Sequence, residues 1–126
     1  MASELRVNTL KDAAGNNSIA TSFVANGSAK AWVKFDNDAT INASFSISST
    51  ADNGTGDFSI TIANAMSSVH YASFFSDSPN GSNQNVHGFK NTHVPTTTVN
   101  RVENQNVSNA FRDIENGYFC VLGDLA

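Results

Sequence analysis

A chain of 126 residues with seven Lys and Arg against eleven Asp and Glu, a net charge of −4, is long enough for one compact core and lacks the basic excess that nucleic-acid binding needs. Its cations (Arg6, Lys11, Lys30, Lys34, Lys90, Arg101 and Arg112) are scattered, no apolar run approaches the ~20 residues that span a bilayer, and Met1-Ala2-Ser3-Glu4 does not open a signal peptide. Synthesis in a cytoplasm without export, no membrane insertion and no nucleic-acid partner are therefore expected.

Charged residues are 14% of the chain, against ~25% in ordinary soluble domains, while Asn, Ser and Thr are abundant. Such side chains can be paired across a subunit contact without the desolvation cost of buried ions, which suits oligomeric β-proteins.

Leu5, Val7 and Thr9 read as a first strand closed by a turn over Lys11–Asn17, and Ser18–Val24 as a second strand ended by Asn26-Gly27. The most informative stretch follows, from Ala29 to Ala72. Ile41, Ala43, Phe45 and Ile47 alternate with Asn42, Ser44, Ser46 and Ser48, the two-residue period of a strand with one buried face. Asp52-Asn53-Gly54-Thr55-Gly56-Asp57 supplies a hairpin turn, after which Phe58, Ile60 and Ile62 resume the alternation. Phe45 and Phe58 are thus expected in the core, on the inner face of this hairpin.

His70–Phe75 reads as a strand with Tyr71, Ser73 and Phe75 facing opposite to Ala72 and Phe74. Ser76–Thr92, with Pro79, Gly81, Gly88 and no period, reads as a long loop. Pro95–Val102 reads as a further strand, and Asn104–Ile114 fits either a helical turn or an irregular connection. Glu115-Asn116-Gly117 is a turn signal, and Tyr118–Leu122 a closing strand with Tyr118, Cys120 and Leu122 on one side and Phe119 and Val121 on the other. Cys120, the one cysteine, excludes an internal disulfide and is expected as a buried thiol. Short strands with turn signals every 8–12 residues or so and no convincing helix predict an all-β fold, an antiparallel β-sandwich or barrel-like domain.

Chemistry is sparse. His87 and His93 are six apart with no rigid element behind them, and no metal site is expected within one chain; a single His on a three-fold axis is the one opening for a metal. Asp36, Asp38, Asp52 and Asp57 lack the ligand pattern of a calcium loop and suit turns instead. No nucleophile elbow and no carboxylate constellation are present, so neither catalysis nor a cofactor is expected. Trp32 with Phe35, and Tyr71, Phe74 and Phe75, could stack on sugars, but strand aromatics more often fill cores and interfaces. If Ala31, Val33 and Phe35 face the core, Trp32 faces solvent or a neighbouring chain.

Ala29-Lys-Ala-Trp-Val-Lys-Phe35, the serine-rich alternating strand, the Asp52–Asp57 turn with Phe58 after it and the segment from Ala65-Met66-Ser67 to Tyr71-Ala72 together resemble a module of bacteriophage tail-fibre and virion appendage proteins. The opening Ser3-Glu4-Leu5-Arg6-Val7-Asn8-Thr9-Leu10, followed by Asp12-Ala13-Ala14-Gly15, is similar to the start of many such proteins, so the resemblance covers about the first 75 residues. It implies a virion structural protein, a short tail fibre or fibre tip assembled as a homotrimer around a three-fold axis, with tail or capsid proteins and a host-surface glycan or protein as partners. Residues 1–28 are expected to form assembly or attachment strands and residues 29–126 the sandwich. Leu5, Val7 and Trp32 are the candidate interface residues. Loops on a rigid scaffold are where binding usually resides, so His87, Phe89, Lys90 and His93 are the candidate receptor-facing groups. Two alternatives stand beside this reading: a capsid decoration or head-fibre protein, and a carbohydrate-binding module.

Overall fold

The computed structural model describes residues 6–79, 85–89 and 93–126, without the side chains of residues 79, 85–87 and 89. The strands, in chain order, are β1 (Thr9–Lys11), β2 (Ser18–Ala20), β3 (Ala29–Asp36), β4 (Ile41–Phe45), β5 (Ile47–Gly54), β6 (Asp57–Ile62), β7 (Ala72–Pro79), β8 (Asn85–Phe89), β9 (Val99–Asn106) and β10 (Ile114–Leu122). One short helix, α1 (Thr21–Gly27), lies between β2 and β3. The protein is all-β, with two four-stranded antiparallel sheets, β4-β3-β10-β7 and β5-β6-β9-β8, and a small β1-β2 hairpin.

The two sheets close on one core, because each contributes an alternating inward row. Ala31, Val33 and Phe35 of β3 and Phe119 and Val121 of β10 meet Phe58, Ile60 and Ile62 of β6 and Val102 of β9, all buried. Phe35 is the pivot, its ring centroid 5.3 Å from that of Phe58 across the layers and 6.5 Å from that of Phe75 on its own sheet. Gly117 makes room for it: a Cβ there would fall onto the Phe35 ring. Glu115-Asn116-Gly117 is therefore not a turn but strand, its glycine selected by close packing rather than by positive φ.

Polar side chains seal the core at both ends of β9. Asn100 and Asn104 are fully buried; Asn100 Nδ2 donates to Tyr71 Oη at 2.7 Å, and Asn104 Nδ2 donates to the Arg112 carbonyl at 2.9 Å. Tyr71 Oη in turn donates to the Thr96 carbonyl at 2.6 Å, which ties the start of β7 to the approach to β9. At the opposite end, Gly56 (φ +64) turns beneath β9, its N–H donating to Asp113 Oδ1 and its carbonyl accepting from Asn104 N. A side chain on Gly56 would strike the Arg112 and Asn104 carbonyls, so the position requires glycine twice over.

Several expectations are corrected. Ser18–Val24 is strand only to Ala20 and then turns into α1, and the first strand covers Thr9–Lys11 without Val7; Leu5 lies outside the described residues. Ser76–Thr92 is not one loop: β7 runs on to Pro79, and β8 is a paired edge strand of the second sheet. β8 pairs without any alternation of its own, because β9 offers a complete ladder from Val102 to Asn106. The strand expected at Pro95–Val102 runs from Val99 to Asn106, and the undecided Asn104–Ile114 is the end of β9, a turn through Asn109 (φ +62) and the start of β10. Cys120 is only half-buried, because it faces outward. Phe45 is not in the core but 56% exposed, whereas Phe58 is buried as expected.

Candidate functional site

The alternation of β3 decides where its bulky residues go. With Ala31, Val33 and Phe35 inward, Lys30, Trp32 and Lys34 lie on the outer face, and Trp32 is 40% exposed. Directly opposed residues of antiparallel strands share a face. Trp32 opposes Phe45 on β4 and Cys120 on β10, and Cys120 opposes Phe74 on β7. Phe45, Trp32, Cys120 and Phe74 therefore form one row across all four strands of the first sheet, about 14 Å long at the usual strand spacing. Tyr118, 41% exposed, adds a fourth aromatic ring to this face, two residues before Cys120 on β10. A groove of about 180 Å³ is lined by Phe74, Phe75 and Ser76 of β7 and by Tyr118, Phe119 and Cys120 of β10.

The face is graded. Beyond Tyr118 it becomes polar, with Asp36, Asn116 and Ser78 opposed across the sheet and Asn116 N–H donating to Ser78 Oγ at 3.1 Å. Phe45 and Phe74, each 56% exposed, flank the other end, near which the chain enters β3 from α1. The side chains of Tyr71 and Phe75 are not part of the aromatic row: Tyr71 is held by Thr96 and Asn100, and Phe75 packs against the core. Burial of the Tyr71 ring pushes its phenol above the ordinary value, an effect partly offset by the Asn100 hydrogen bond.

Among the described side chains, the outer face of the second sheet is mostly polar. Ser59 and Thr61 of β6 lie there, and Asp57 accepts two hydrogen bonds from Arg101, Nε to Oδ1 and Nη2 to Oδ2, both 2.7 Å. The hydrogen bonds to Asp57 raise the Arg101 pKa further and fix the register of β6 against β9.

Trp32 is thus outward, as expected. Val7 is exposed in the N-terminal unit, and Lys90 lies outside the described residues, as do the side chains of His87 and Phe89. Those two positions are on β8, His87 opposite Asn104 and Phe89 opposite Val102. His93 is half-buried, its Nε2 enclosed with no hydrogen-bond partner among the described residues. The four candidate receptor-facing residues therefore do not share one loop. Among the described residues no three His, Cys, Asp or Glu side chains gather as metal ligands, and no helix is long and apolar enough to cross a membrane. Sequence reasoning singled out Trp32 and treated Phe74 as part of another cluster; it missed Phe45 and Tyr118 as members of the same row. The signal was cross-strand register, which one strand alone does not display.

Comparison of the chain with protein-family models, with curated proteins and with solved structures gives no match.

Proposed function

We propose that this chain is a structural component of a bacteriophage particle, a short tail fibre or fibre-tip appendage that assembles with copies of itself as a homotrimer and acts by non-covalent adhesion. The observation that carries the reading is the aromatic row Phe45–Trp32–Cys120–Phe74 on the outer face of one sheet, a surface suited to contact rather than to chemistry. Aromatic side chains are the groups most enriched in protein contacts, because each removes a large rigid area from water. The sequence resemblance of residues 1–75 supplies the virion assignment.

Labelling particles of the phage that encodes the chain with an antibody against it, and imaging them by electron microscopy, tests this reading. Label at the tail is the expected result. Label on the shell would favour a capsid decoration or head-fibre protein, and particles that carry none of the protein would overturn the virion assignment. A carbohydrate-binding module is the second reading, favoured by the planar rings of Trp32 and Tyr118 on an exposed sheet; glycan-array binding lost on Trp32→Ala would support it.

A further inference from the structure

The chain has a second uncovered apolar surface. In residues 7–28 every residue except Ala20 and Thr21 is exposed, and Leu10, Ile19, Phe23 and Val24 are among them, Phe23 at 71%. The unit nevertheless has its own internal order. Asp12 accepts from Asn16 N–H at 2.9 Å and from Asn17 Nδ2 at 2.7 Å, Gly15 (φ +73) closes the turn, and Thr21 Oγ1 donates to the Val7 and Asn8 carbonyls. It is an ordered arm whose apolar side chains find no core in its own chain.

The arm joins the sandwich next to the aromatic row. Ser28, in extended conformation (φ −86, ψ 148), links α1 to β3, and Trp32 follows four residues later. Within one chain the arm leaves Trp32, Phe45 and Phe74 open to solvent. We infer that the arm of a second copy covers this face: α1 and the β1-β2 hairpin of one copy lie on the Phe45–Trp32–Cys120–Phe74 row of the next. The inference deepens the self-assembly part of the proposed function, and names the surfaces that it uses.

Size and charge agree with this pairing. Four half-exposed rings offer on the order of 400 Å² of apolar surface, within what a monomer tolerates and about half of one partner's share of a stable interface. Each copy contributes both an arm and a face, so every copy is buried twice and the deficit is made up. Helix α1, Thr-Ser-Phe-Val-Ala-Asn-Gly, contains no charged residue, so laying it on the row strips no ion of water. Of the charges bordering the row, the Lys30 ammonium donates to the Ser28 carbonyl and hydroxyl at the foot of the arm, and Lys34 has a flexible stem that can lie along an apolar partner with its ammonium in water.

Trp32 is the only tryptophan, so its fluorescence reads this face directly. The full-length protein is studied by light scattering coupled to gel filtration and by acrylamide quenching, alongside a Phe23→Ser/Val24→Ser variant and a Phe45→Ser/Phe74→Ser variant, all four positions being exposed within one chain. The expected parent is a multiple of 13.4 kDa with Trp32 shielded from quencher. Both variants are expected to fall to 13.4 kDa, and in the arm variant, which leaves the face itself unaltered, Trp32 is expected to red-shift and become quenchable. An arm variant that stays multimeric with Trp32 shielded would overturn the inference, as would a parent multimer with Trp32 open. The parent alone suffices as a test if a variant fails to fold: a 13.4 kDa species at every concentration loaded sinks the exchange, whatever the particle imaging shows.

Discussion

The two outer faces of the sandwich are built on the same strand geometry and carry opposite chemistry. That of the second sheet presents Ser59, Thr61 and the Asp57–Arg101 pair, groups that are satisfied by one another and by water. That of the first sheet presents Trp32, Phe45, Phe74 and Tyr118, which water does not satisfy. An antiparallel sheet with one face on a core commonly turns a polar face to solvent. The described side chains of the second sheet fit this pattern; those of the first do not, and its outer face is the one that the proposed self-assembly would cover.

Substitutions in the core, on the two faces and in the arm test this contrast, with effects that fall in that order. Phe58 belongs to the core that both faces share, and Phe58→Ala should cost about 3–5 kcal/mol in denaturant unfolding. A smaller loss would mean that the layers are less tightly closed than the Phe35–Phe58 contact indicates. Tyr71→Phe removes the hydroxyl bonded to Thr96 and Asn100 and strands the Asn100 amide in a buried site, for a loss of about 1–3 kcal/mol in the same measurement.

On the outer faces the readouts should separate. Arg101→Ala is expected to lower the melting temperature modestly and leave the mass in solution unchanged, since Asp57 loses a paired cation on a face without the aromatic row. Phe45→Ala is expected to change unfolding by no more than about 0.5 kcal/mol at concentrations where the chain is monomeric, and to weaken self-association in gel filtration. If both variants moved stability alone, the two faces would not differ in kind.

The smallest effect concerns the arm. Asp12 is held below its ordinary 3.8 first by the Asn17 side-chain hydrogen bond and then by backbone N–H groups. A carboxyl whose pKa is depressed on folding stabilises the fold at pH above 3.8 and loses that contribution as pH falls through the lower, folded value. Acidification below that point should therefore raise amide exchange at Asn16 and Asn17, whose N–H groups Asp12 accepts, with no matching pH step in Asp12→Asn.

How far the sequence could be read is clearest from Phe45 and Phe58, which stand in the same kind of alternation. In β6 the alternation, the turn before it and the core all agree, and Phe58, Ile60 and Ile62 are inward as read. In β4 the alternation is real but its sense is inverted. Phe35 opposes Ile41, whereas Lys34 opposes Ala43, so a bulge at Asn42 adds one residue. Without it Phe45 would sit opposite inward-facing Ala31; with it Phe45 sits opposite outward-facing Trp32. A one-residue slip exchanges the two faces of a strand, and nothing in the alternation itself records the slip. The chain then breaks the apparent strand at Ser46 (φ +55) and crosses to the other sheet, where Ile47 starts afresh. Fold class and the outward placement of Trp32 were legible because they need only local period. Helix α1 was missed because it is short and carries no side-chain cap, and β8 because its partner strand, not its own residues, makes it a strand.

The place of β10 in the first sheet has a consequence in time. It inserts between β3 and β7, so that Val33 finds its partner at Phe119, 86 positions along the chain. Until that insertion the sheet is only the β3-β4 pair and a separate β7, and the aromatic row is two pieces, Phe45 with Trp32 on one and Phe74 on the other. Pairings of such long sequence separation are slow, on the order of milliseconds to seconds, and the half-built sheet offers apolar rings and unpaired strand edges together while it waits. The row is thus a defined surface only once β10 has joined β3 on one side and β7 on the other.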